Sequence, residues 1–98
     1  MTTTDERQVA AARIEALSTL LRRQHGPDTA RMIEECEALG RAINAFHMEG
    51  IRFRIYNVDR QLARHTDSLP AEARALLEEA RRHLEAAGFH TRSHQSPV

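Results

Sequence analysis

The chain has 98 residues, with fourteen basic residues balanced by fourteen acidic ones, six histidines, one cysteine and no tryptophan. That length is one domain, and a chain of this size buries only roughly 60–65% of its unfolded surface, so oligomerisation is a common way to bury more. Zero net charge excludes a global attraction to nucleic acid or anionic membranes, and no apolar run approaches the ~20 residues that cross a bilayer.

Every basic residue is arginine. Biased composition accounts for this most simply, although arginine also makes bidentate and stacked contacts that lysine cannot. The lone Cys36 has no intramolecular disulfide partner, which fits a reducing compartment. The segment from Met1 to Glu6 lacks the basic and apolar regions of a signal peptide, so a cytoplasmic protein is expected.

The first helix is expected to open at Thr3 or Thr4, where Thr3 and Glu6 have capping-box spacing. Ala10, Ile14, Leu17 and Leu21 form one apolar stripe, and Gly26-Pro27 stops the helix. Asp28 is placed to cap a second helix after a short connection. Met32, Cys36, Leu39, Ile43 and Phe46 recur at steps of four, three, four and three, the cleanest heptad-like stripe in the chain.

Residues 50–58 carry two patterns. Ile51, Phe53 and Ile55 alternate with Arg52, Arg54 and Tyr56, as in a strand. Ile51, Ile55, Val58 and Leu62 also form a helical stripe, with Phe53 and Tyr56 on the opposite side. Helix is the favoured reading, because a single isolated strand is unstable. The two stripes are out of phase across Gly50, so one straight helix would switch its buried face there.

Asp67 or Ser68 is a candidate cap for a last helix carrying Ala73, Leu76, Leu77, Ala80 and Leu84, with Pro70 allowed in its first turn. It ends at Gly88, with Phe89 placed for a Schellman contact. The expected fold is therefore all-α, a three- to four-helix bundle with a long, broken central helix. The alternative is α+β with a short strand at 51–57. A single helical domain spans 1–88 and a polar tail spans 89–98.

In layout the chain is loosely similar to the small all-helical metal- and aldehyde-sensing repressors. Those carry a cysteine near the start of their second helix, where this chain has Thr29, while Cys36 lies well inside the helix. Asp67-Ser68-Leu69 resembles the phosphopantetheine attachment triplet of acyl carrier proteins, but Pro70 follows it and a helix cap explains it better.

Cys36, His47, His83, His90 and His94 are the candidate metal ligands. Glu79 and His83, and His90 and His94, have i,i+4 spacing, yet zinc needs three or four ligands. Cys36 and His47 lie about 16 Å apart on one helix, so only two antiparallel subunits could bring them together. The simpler reading makes Cys36 a small buried apolar residue, whose acidic neighbours Glu34, Glu35 and Glu37 disfavour a reactive thiolate.

Segment 28–37 carries Arg31 against four acids, and segment 41–65 carries five arginines against Glu49 and Asp59. This contrast can align an antiparallel assembly. Arg52, Arg54, Arg60 and Arg64 form a basic patch beside Phe53 and Tyr56 that could meet a nucleic-acid backbone, although the balanced net charge offers little phosphate affinity. No phosphate loop, nucleophile elbow or Glu-x-x-His motif is present, and the sequence requires no cofactor.

The expected function is a non-catalytic, homo-oligomeric interaction or regulatory module, such as an accessory subunit. Its interface would comprise Leu39, Ile43, Phe46, Ile51, Phe53, Ile55, Tyr56, Val58 and Leu62. Apolar groups on two sides of one helix imply cover on two sides. A metal or thiol sensor and a DNA-binding regulator are the alternatives, and another protein is an alternative partner.

Overall fold

A computed structural model describes residues 5–24, 26 and 28–89. They form four helices and no strand: α1 (Glu6–Arg22), α2 (Thr29–Asn44), α3 (Met48–Arg64) and α4 (Ala71–Ala86). Ion pairs fix the helix directions. Arg22 meets Glu37, Glu35 meets Arg54, Asp59 meets Arg74, and Arg13 meets Glu79. Direction is read from the pairs near helix ends: Asp59 late in α3 with Arg74 early in α4, Asp28 just before α2 with His65 just after α3, and Glu6 opening α1 with His83 late in α4. Arg7 early in α1 likewise bonds the Ile43 carbonyl late in α2, as in an up-down-up-down bundle. α1 packs against both α2 and α4, and α2 against α3, while the α3–α4 seam is sparsely packed.

The first helix is capped by Asp5, whose Oδ1 accepts from the N–H groups of Arg7 at 3.1 Å and Gln8 at 3.2 Å. The cap expected at Thr3 or Thr4 falls here instead, and Glu6 does not reach back to it but pairs with His83. Ala10, Ile14, Leu17 and Leu21 are buried, the stripe that 3.6-residue periodicity demands.

The second helix buries Met32, Cys36, Leu39 and Ile43, but Phe46, the fifth member of that stripe, lies beyond its end. The break in the chain falls at Ala45–His47 rather than at Gly50. The N–H of Phe46 donates to the Ile43 carbonyl and that of His47 to the Ala42 carbonyl, the bond pair of a Schellman ending. Phe46 takes the left-handed position, with φ +58°, where glycine is usual. His47 then caps α3, its Nδ1 accepting from the Gly50 N–H at 2.8 Å.

Residues 48–64 are helical throughout, so the strand alternative at 51–57 is not adopted. Ile51, Ile55, Val58 and Leu62 are buried, and a single helix face accounts for all four. His65 closes α3. Pro70 takes the cap position of α4 with no side-chain bond, so neither Asp67 nor Ser68 serves; the Ser68 hydroxyl donates to the His65 carbonyl instead. Asp28 does take the cap position of α2, its carbonyl accepting from the Met32 N–H at 3.1 Å, but without a side-chain cap bond, its carboxylate lying 3.3 Å from His65 Nε2.

The last helix buries Ala73, Leu77, Ala80 and Leu84, with Leu76 only partly covered. Gly88 adopts φ +99°, and the Phe89 N–H donates to the Leu84 carbonyl at 2.9 Å, completing the expected Schellman ending. Phe89, assigned by composition to the polar tail, packs against the core. The core is aliphatic, with alanine, Met32 and Cys36 filling the remainder.

Candidate functional site

With Ile51, Ile55, Val58 and Leu62 turned inward, the 100° step of a helix sends Glu49, Phe53, Tyr56, Arg60 and Ala63 outward, and all five are exposed. Phe53 keeps 57% and Tyr56 44% of its surface in solvent, and Phe46 keeps 63%. None of the chain's aromatic rings is among the fully buried core residues, and only Phe89 packs against their edge.

Arginines lie over these rings. The Arg54 guanidinium stands 5.4 Å from the Phe53 centroid and that of Arg60 5.5 Å from the Tyr56 centroid, each within cation–π range. Phe46 carries Arg7 at 3.9 Å on its face and has Phe89 at 6.4 Å in a tilted arrangement. Sequence reasoning missed Arg7, because nothing local links the first turn of α1 to the end of α2.

The expected interface therefore splits. Leu39, Ile43, Ile51, Ile55, Val58 and Leu62 belong to the chain's own core, because α2 and α3 cover one another's stripes. Phe46, Phe53 and Tyr56 remain at the surface.

The basic patch is largely engaged within the chain. Arg52 lies 3.4 Å from Glu49, and Arg54 lies 3.4 Å from Glu35, which also accepts from Asn57 Nδ2 at 3.4 Å. Arg60 lies over Tyr56, and Arg64 is exposed. With Asp28 beside His65, pairs between the acidic and basic segments join α2 to α3 within the molecule. Partly exposed pairs of this kind contribute on the order of 1 kcal/mol or less each and act mainly on register.

The candidate metal ligands are dispersed. Cys36 is buried, His47 caps α3, and His83 Nδ1 sits 2.5 Å from Glu6 Oε1, while Glu79 turns to Arg13. His90 and His94 lie outside the described residues. Among the described residues no three His, Cys, Asp or Glu side chains converge. Burial first, then the Glu35 and Glu37 carboxylates, push the Cys36 thiol up to about 12, against a smaller lowering by Arg22. The thiolate is therefore strongly disfavoured.

Two of the hollows among the described residues hold polar side chains of interest. A groove of about 580 Å³ runs between α1 and α2 over Ala11, Ser18, Cys36 and Gly40, and the buried Ser18 hydroxyl there has no hydrogen-bond partner. A smaller one of about 280 Å³ is lined by Asp28, His65 and Ser68 among others. Its Asp–His–Ser composition does not form a nucleophile–base pair, since the Ser68 hydroxyl bonds the His65 carbonyl and not the imidazole. Neither hollow was legible in the sequence, because both depend on which helices become neighbours.

No helix among the described residues is long and apolar enough to cross a membrane. No family model matches the chain, and neither a curated protein nor a solved structure matches it.

Proposed function

We propose that this chain is a non-catalytic interaction module that associates with copies of itself through the aromatic–arginine surface of Phe46, Phe53 and Tyr56. One observation carries the reading. A small protein with four aromatic side chains builds its core without them and leaves three substantially exposed.

Aromatic rings are the largest apolar groups available to a core. Holding them at the surface is unfavourable unless something covers them, and aromatic residues with arginine are the residue types enriched at interface centres. The adjoining arginines are already positioned over the rings, so part of the ordering cost of association is met before contact. A lone buried cysteine suits a reducing cytoplasm.

Native mass spectrometry and light scattering of the full chain test this. The wild type is expected to show a concentration-dependent oligomer, and a Phe53→Ser/Tyr56→Ser variant a monomer with unchanged helical circular dichroism. A wild type that stays monomeric at high micromolar concentration overturns the reading.

A further inference from the structure

The outward stripe of α3 has a charge order that selects one way of meeting its own copy. It begins with the exposed Glu49, passes through Phe53 and Tyr56, and ends with the exposed Arg60. The spacing of four, three and four is that of a helix–helix seam.

We infer that two copies pair antiparallel along α3 about a two-fold axis between residues 54 and 55, so that Phe53 packs on the partner's Tyr56 and Glu49 meets the partner's Arg60. This rests on the self-association proposed above and adds its geometry. A parallel pair would set Glu49 on Glu49 and Arg60 on Arg60, an arrangement that like charge opposes. Sliding the antiparallel pair until two Tyr56 rings face each other sets Arg60 against Arg52, again like charge. Sliding it the other way until two Phe53 rings meet sets Tyr56 over the partner's Gly50 and Glu49 over the partner's Asn57, so neither the second ring nor the carboxylate finds its match.

In the inferred register both aromatic residues of α3 are covered, both charges are matched, and the flanking Arg52 faces the partner's Asn57. Such an interface is isologous, so each contact occurs twice. Glu49 is free to turn outward, because its 3.4 Å pair with Arg52 is highly exposed on the Glu49 side and correspondingly weak. One helix pair buries an area at the low end for specific complexes, so the dimer is transient, with dissociation in about the micromolar range.

Charge exchange tests the register. Glu49→Arg and Arg60→Glu each place two like-charge contacts in the homodimer and are expected to weaken it about tenfold, equivalent to about 1.4 kcal/mol. Mixed together, the two variants restore both contacts, and native mass spectrometry should show the heterodimer well above its statistical share. The doubly exchanged chain should again form homodimers. Both positions are exposed, so circular dichroism should remain that of the wild type. If the wild type dimerises but neither exchange weakens it, or the mixture is statistical, this register is wrong while self-association stands. A monomeric wild type removes both.

Discussion

The guanidinium of Arg7 lies 3.9 Å from the centre of the Phe46 ring, and its Nη1 donates to the Ile43 carbonyl at 3.3 Å. One side chain thus ties the first turn of α1 to the turn that ends α2. It places a cation at the negative end of the α2 dipole and covers one face of a ring held in left-handed backbone.

That backbone state costs a non-glycine residue roughly 1–2 kcal/mol. Phe46→Gly removes the cost but loses the ring contacts; Phe46→Ala loses the contacts and keeps the cost. The glycine variant should therefore be the more stable of the two by about 1 kcal/mol in urea denaturation, after allowing for glycine's greater unfolded-state entropy. Equal stabilities would mean that the turn is not strained.

At the start of α3, the His47 ring occupies the space where a side chain on Gly50 would begin. A Cβ at Gly50 would stand 2.5 Å from His47 Nδ1. Glycine to alanine inside a helix ordinarily stabilises by about 0.5–1 kcal/mol, but Gly50→Ala should destabilise because the capping ring must move. In a His47→Ala background, already weakened by about 1 kcal/mol through loss of the cap, the same substitution should become neutral or stabilising. This reversal of sign is read from a four-member denaturation cycle, and its absence would show that the ring is not what excludes a side chain.

The Cys36 thiol, raised from an ordinary value of 9.0 to about 12 in the folded chain, gives an alkaline dependence of known sign. Below pH 9 the thiol is protonated in both states and contributes nothing that varies. Between pH 9 and 12 the unfolded chain releases the proton and the folded chain retains it, so stability falls as pH rises, by up to about 1.4 kcal/mol per pH unit. Cys36→Ala should lower stability at neutral pH but flatten the alkaline decline relative to wild type. Native Cys36 should also react with iodoacetamide orders of magnitude more slowly than the urea-unfolded chain. A parallel decline in both proteins would contradict this assignment.

Arg81 is the most buried charged side chain described. Its Nη1 bonds Glu78 Oε2 at 2.9 Å while its Nε has no hydrogen-bond partner. A half-satisfied buried charge carries a desolvation cost that an apolar residue of similar length avoids. Thermal melts should find Arg81→Met neutral or stabilising, whereas Glu78→Ala, which leaves the guanidinium without that partner, should lower stability by about 1–3 kcal/mol.

The helices were legible where a single local rule applies. Ala10 to Leu21, Met32 to Ile43 and Ala73 to Leu84 each repeat apolar residues at helical spacing, and Gly88 with Phe89 signals its own turn. Periodicity is a property of neighbours in sequence, so it survives without tertiary information. The stop after α2 shows in the sequence only as a phase change across Gly50, since nothing local announces an aromatic residue in left-handed backbone. The balance between strand and helix over 51–57 could not be settled locally either, because Ile51 and Ile55 satisfy both periods.

Tertiary structure alone decided which apolar surface is spent inside the molecule. Composition and stripe spacing determined that this chain would be helical, with apolar groups on two sides of its central segment. Only the docking of α2 on α3 consumed the isoleucine stripe and left Phe53 and Tyr56 outside. The pairing of Glu35 with Arg54, Glu6 with His83 and Arg7 with Phe46 follows from the same docking. These contacts join residues separated by 19, 77 and 39 positions, and no pattern within one helix encodes a neighbour that the chain must fold to meet.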